Sequence, residues 1–207
     1  MPEQQIYKKK EPDMMTWPFA TRQDLNVKKM LSRILNAARL DGDTFRELRD
    51  DSSATVQSVS LVAIVGLCYG AGLGFFGFFV AGISILDIFT IVLIGLFSAV
   101  IIAFVWSGTT FLIVTKLFRR TIGYGALARP FFFSWAPGLL FILMSSPIPV
   151  VSEIIRAAGT AWIGVASVFA VKHASGFSAQ QSMLTFIIGV LVLIFILTFI
   201  QSLVPVN

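Results

Sequence analysis

Two residues in the apolar half of this 207-residue sequence have the types and spacing to do chemistry, Glu153 and Arg156. Three positions apart on a helix, they share a face and can pair. Ionisable side chains within a membrane-spanning stretch are costly, and by default they mark a proton or ion path. Glu153 lies only a few residues beyond Pro149, though, where a snorkelling structural pair at an outer membrane interface is cheap. Both readings stand on the sequence. Little else offers chemistry. Cys68 is the only cysteine and His173 the only histidine, which excludes an intramolecular disulfide, a thiolate cluster and a multi-histidine metal site. No carboxylate pair stands beside a nucleophile, and no phosphate-cradling glycine loop follows a strand. The expectation is therefore a protein that is not an enzyme, with no catalytic residues, cofactor or metal.

A second pattern concerns packing. Gly66-x-x-x-Gly70 and Gly70-x-x-x-Gly74 place small residues on one helix face, so that another helix can approach closely. That helix belongs either to the same bundle or to a partner or second copy.

The elements that position these residues follow from composition. The chain is 56% hydrophobic and only 13% charged, about half the usual charged share. The apolar residues are gathered into long uncharged runs. Crossing a hydrocarbon core takes about 20 apolar residues, with a range of about 17–25. Runs of this kind extend over 56–78, 88–114, 130–144, 150–171 and 183–204. The third is short and holds Pro137-Gly138, which predicts a kink. A Pro147-Ile148-Pro149 turn joins it to the fourth, so the two either cross separately or form a re-entrant hairpin. The fold expected is all-α: a polytopic membrane bundle of about five transmembrane helices preceded by a cytoplasmic amphipathic helix.

Residues 1–25 are polar and interrupted by Pro2, Pro12 and Pro18, and read as a mobile tail. From Asn26 to Leu40, Val27, Met30, Leu31, Ile34, Leu35 and Ala38 form a helical apolar stripe, with Lys28, Lys29, Arg33 and Arg39 mostly off it. Such a helix either lies in the membrane interface, its charges on anionic headgroups, or packs on the inner ends of the bundle. Thr44 and Glu47 have the spacing of a capping box that opens a short second helix. The region 26–55 is thus a helical prelude to a membrane domain at 56–204.

Charge placement gives the orientation. Ten of the sixteen Lys and Arg precede residue 50. The first inter-span loop has no Lys or Arg, the second holds Lys116, Arg119, Arg120 and Arg129, the third none, and the fourth Lys172. Basic and neutral loops alternate as the positive-inside rule requires of five spans with the N-terminus in the cytoplasm and the C-terminus on the opposite side. The basic N-terminal region is expected to meet lipid rather than nucleic acid.

The order of these features is similar to the prokaryotic branch of the Yip domain family, Ypt/Rab-interacting membrane proteins. The resemblance rests on Leu40-Asp41-Gly42-Asp43-Thr44-Phe45 before the first span, on Gly123-Tyr124-Gly125 in the second cytoplasmic loop, and on Phe133-Ser134-Trp135-Ala136-Pro137 in the third span. It covers roughly residues 30–200. An Asp-Leu-Tyr-Gly-Pro run typical of eukaryotic members is missing; Asp24-Leu25-Asn26 does not match it. The resemblance implies five spans in the plasma membrane of a prokaryote. It also implies a role in organising or scaffolding membrane or partner proteins, as an accessory subunit or homo-oligomer. The alternative from the residues alone is a small permease or channel that uses Glu153 and Arg156.

Overall fold

A computed structural model describes residues 27–203, and all the regular structure among them is helical. The segment 1–25, read above as a tail, lies outside the described residues, as does the last position of the fifth apolar run. Two short helices, α1 (Val27–Ala38) and α2 (Gly42–Asp50), precede the long ones. These are α3 (Ala54–Ala81), α4 (Ile85–Leu112), α6 (Pro149–Ser175) and α7 (Ala179–Leu203), with the shorter α5 (Tyr124–Phe133) between α4 and α6. Five segments are long and apolar enough to cross a membrane, the third being α5 joined to a 3-10 helix over Ala136–Ser145. The chain has the architecture of a multi-pass membrane protein.

Helix ends follow local chemistry. Ser84 and Asp87 form a reciprocal capping box that opens α4. Gly82 and Gly176, at φ 66° and 65°, supply the left-handed residues that close α3 and α6. The start of α2 differs from the sequence reading. Its N-cap is Asp41, whose carboxylate accepts from the Thr44 backbone N–H at 3.0 Å and from the Thr44 hydroxyl at 2.6 Å. Thr44 is a partner of the cap rather than the cap itself, because an aspartate three residues earlier takes the Thr44 N–H that Glu47 would accept in a capping box.

The third segment begins well before the expected Pro130, at Tyr124, and includes Arg129. Its break is not a simple kink. Pro137 lacks an N–H, and its ring would clash with the carbonyl four residues back, that of Phe133. That residue is where α5 stops. Beyond it the chain tightens, with the Gly138 N–H donating to the Trp135 carbonyl at 2.8 Å. A 3-10 helix repeats every three residues, and Gly138, Phe141 and Met144 form the buried face on that period. At about 2.0 Å per residue in the 3-10 part and 1.5 Å in α5, the 22-residue segment is long enough to cross about 30 Å of hydrocarbon.

The glycine stripe of α3 packs inside the bundle. A Cβ on Gly66 would lie 2.7 Å from Ala99 Cβ and 2.8 Å from the Gly95 carbonyl oxygen, and one on Gly70 would lie 2.7 Å from Val92 Cα. Gly74 abuts Ile88. Helix α4 covers this face, so it is not available to a partner. On a neighbouring face Gly72 meets the 3-10 helix, where a Cβ would lie 2.1 Å from the Phe141 carbonyl oxygen. Helix α7 completes the bundle by packing on α6 and α4.

Candidate functional site

Helices α1 and α2 form a hairpin that caps one end of the bundle. Its apolar anchors, Phe45 and Leu48, are fully buried, and Ile34 and Ala37 of α1 join the same core. Its polar anchor is Arg33, 2% exposed although it sits among the basic residues of α1. One arm of the guanidinium donates to Gln57 Oε1 of α3 at 2.9 Å, and the other to Glu47 Oε1 of α2 at 2.7 Å and to Asp51 Oδ2. Lys29 Nζ adds contacts of 3.2 Å to both carboxylates. One planar cation thus ties together α1, α2 and the start of α3. A forked guanidinium suits this geometry and a point-like ammonium does not.

The carboxylates respond to this setting. Burial works to raise the Asp51 carboxyl, but hydrogen bonds from Ser53, Arg33 and Lys29 outweigh it and hold the group far below the usual carboxylate range. Glu47 is lowered too, the bonds from Arg33 and Lys29 overcoming a partial burial that opposes them. A carboxyl with a depressed native pKa gives stability that is complete above its unfolded value, about 4, and is lost as pH falls toward the native value. Cap docking should therefore be unchanged between pH 7 and pH 5 and weakened near pH 3. Limited proteolysis at α1 across that range measures it.

Arg129 is a second buried cation. From α5, its Nε donates to the Leu48 carbonyl at 2.9 Å and its Nη2 to the Arg49 carbonyl. The last carbonyls of a helix lack intrahelical partners and carry the negative end of its dipole, so Arg129 closes α2 from outside. A third tie comes from α6, where Trp162 Nε1 donates to the Ala38 carbonyl at 2.9 Å. The His173 ring lies against Gly42, where a Cβ would come within 2.5 Å of it.

The outer side of the cap is unusual for a protein surface. Val27, Leu31 and Leu35, one helical turn apart, are 65%, 55% and 57% exposed. Lys28 and Arg39 are exposed on the polar flank of this row. Half of the apolar stripe of α1 thus packs on the bundle and half faces outward. Basic loops gather at the same end. Arg120, beyond α4, stacks over Phe177, in the turn between α6 and α7, at 5.5 Å.

The Gly123-Tyr124-Gly125 run is at this end as well. Gly123 is the N-cap of α5, and the Tyr124 hydroxyl bonds Ser107 of α4 at 2.8 Å while its ring meets Phe111 edge-on. Gly125 leaves room for the Arg129 guanidinium, 3.0 Å from where its Cβ would be. The run thus fixes the start of α5 and makes space for one of the cap's anchors. Glu153 and Arg156 lie elsewhere, paired near the start of α6 toward the opposite end, with side chains 63% and 47% exposed.

No family model, curated protein or solved structure matches the chain. What can be said of its work rests on geometry. Among the described residues no three His, Cys, Asp or Glu side chains converge as metal ligands would. The sequence reading missed Arg33, Arg129, Gln57 and Trp162 as working residues. Arg33 gave no signal of its own, since it lies farther from the apolar stripe of α1 than Lys28 or Arg39 does. The other three are legible only once the hairpin is folded back on the bundle.

Proposed function

We propose that this chain is a non-enzymatic membrane organiser of Yip type, in which a five-span bundle holds a helical cap against the inner face of the plasma membrane of a prokaryote. The observation that carries the reading is the outward apolar row Val27, Leu31 and Leu35 on a helix locked to the bundle from its other side. A free amphipathic helix must bear the cost of ordering whenever it meets a bilayer. This one is held in place by Arg33, Arg129 and Trp162 and can act as a fixed wedge in the headgroup region, with Lys28 and Arg39 beside anionic lipids. The gathering of Arg120, Arg129 and Lys172 at the capped end supports a cytoplasmic location for it and the opposite location for the far end. The charged outer surface of α2, including Asp43 and Asp50, is where a protein partner or second copy would meet the cap.

The placement of Glu153 and Arg156 favours this reading over a permease. They form a local pair on the flank of α6, and among the described residues no carboxylate or basic residue lines the apolar cavities nearby. Reconstitution into vesicles separates the two classes. The wild type at high density should reduce vesicle size or draw tubules from anionic membranes. Replacing Leu31 and Leu35 together by glutamate should abolish that while leaving the bundle folded. Unaltered vesicles with a measurable proton or solute flux would mean that the chain is a permease.

A further inference from the structure

Three cavities share walls along α6, from the Glu153 turn opposite the cap down to Phe169 near the capped end. An open one of about 540 Å³ carries the charged pair, lined by Tyr69, Glu153, Arg156 and Thr160 with Ala157 and Ala161. It shares Tyr69 and Thr160 with an apolar chamber of about 350 Å³ between α3, α4 and α6. It shares Thr160 and Ala161 with a second apolar chamber of about 640 Å³ between α6 and α7. The two chambers also share Trp106 and Ile163. One charged mouth therefore adjoins two apolar compartments that meet at Thr160 and Trp106.

We infer that this cleft holds one phospholipid with a primary-ammonium zwitterionic headgroup, of the phosphatidylethanolamine class. A diacyl lipid has one polar head and two chains, matching one mouth and two chambers. The mouth also offers one cation and one anion side by side. Arg156, which also interacts with Tyr69, faces the phosphate, and Glu153 accepts from the ammonium. A choline headgroup has no N–H to donate to Glu153, and an anionic glycerol headgroup has no cation for it. An independent observation lies in the first chamber. Trp135 is 8% exposed, and its indole N–H is buried with no partner among the described residues. A buried donor without an acceptor is costly, and a lipid ester carbonyl supplies one.

Depth fits as well. Helix α6 has 27 residues, about 40 Å at 1.5 Å per residue, against about 30 Å of hydrocarbon. Arg156 lies two turns from its start, within snorkelling reach of the headgroup layer. The site is independent of the role given to α1.

The test is native mass spectrometry of the full chain in mild detergent with phosphatidylethanolamine, phosphatidylglycerol and phosphatidylcholine added in equal amounts. One phosphatidylethanolamine should remain bound per chain, preferred over the other two by about tenfold. Glu153→Gln should remove that preference while a lipid is still retained, and Arg156→Gln should lose retention of all three. Ala161→Trp, which fills the second chamber, should weaken retention without changing headgroup preference. Thermal unfolding of each variant confirms that it is folded. Equal retention of the three lipids by the wild type, or an unchanged preference in folded Glu153→Gln, would overturn the assignment.

Discussion

Replacing Arg33 with methionine should release α1 from the bundle at a cost of about 3 kcal/mol. The side chain is 2% exposed and is shared by Glu47, Asp51 and Gln57. Removing one partner of a buried ionic cluster costs about 3–5 kcal/mol, because the groups left behind are desolvated without compensation. The lower end applies because Glu47 is about half exposed and keeps Lys29. Arg33→Lys should recover only part of the loss, since a single nitrogen cannot span the acceptors that two separate guanidinium nitrogens now reach. The readout is protease cleavage between α1 and α2, fast in Arg33→Met and slow in the wild type. In a cycle with Asp51→Asn, the second substitution should cost much less in the Arg33→Met background than alone.

Gly70→Val should be at least as damaging, for a different reason. An added Cβ would meet Val92 Cα at 2.7 Å and the Ile91 carbonyl oxygen at 2.8 Å, and Gly95 presses on Gly70 from the facing helix. These are backbone atoms, which cannot turn aside as a flexible side chain can, so α3 and α4 must separate. Overpacking usually costs about 1–3 kcal/mol. Here we expect the upper limit, about 3 kcal/mol, as a large fall in Tm in mild detergent. Gly108→Ala on α4 is the matched control: nothing lies within 4 Å of its added methyl, and alanine is the better helix former. Its Tm should equal or exceed that of the wild type.

Both predictions concern features that sequence alone shows only in part. The spans were legible because lipid imposes a length and a composition on each: 56–78 falls inside α3, and 88–114 inside the apolar helical segment 85–117 that α4 begins. The third segment was under-read because Arg129 looked like a loop charge. A charge is tolerated inside α5 because the open carbonyls of α2 receive it, and that receptor is 80 residues away in the chain. The glycine stripe was visible as a packing face, but only the fold assigns that face to α4. Helix α1 was ambiguous for a physical reason as well: its apolar arc is wide enough to serve two surfaces, and periodicity does not say how they divide it. The cleft beside Glu153 and Arg156 left no trace in the sequence beyond the pair itself, since its walls come from five separate segments.

The central claim is that the outer row of α1 sits in a bilayer while its inner row is locked to the bundle. An environment-sensitive fluorophore on Leu35→Cys, in a Cys68→Ser background, tests it directly in proteoliposomes that contain anionic lipid. Strong quenching by lipids brominated along their acyl chains and protection from aqueous iodide are expected. Full iodide access with no quenching by the brominated lipids would contradict it.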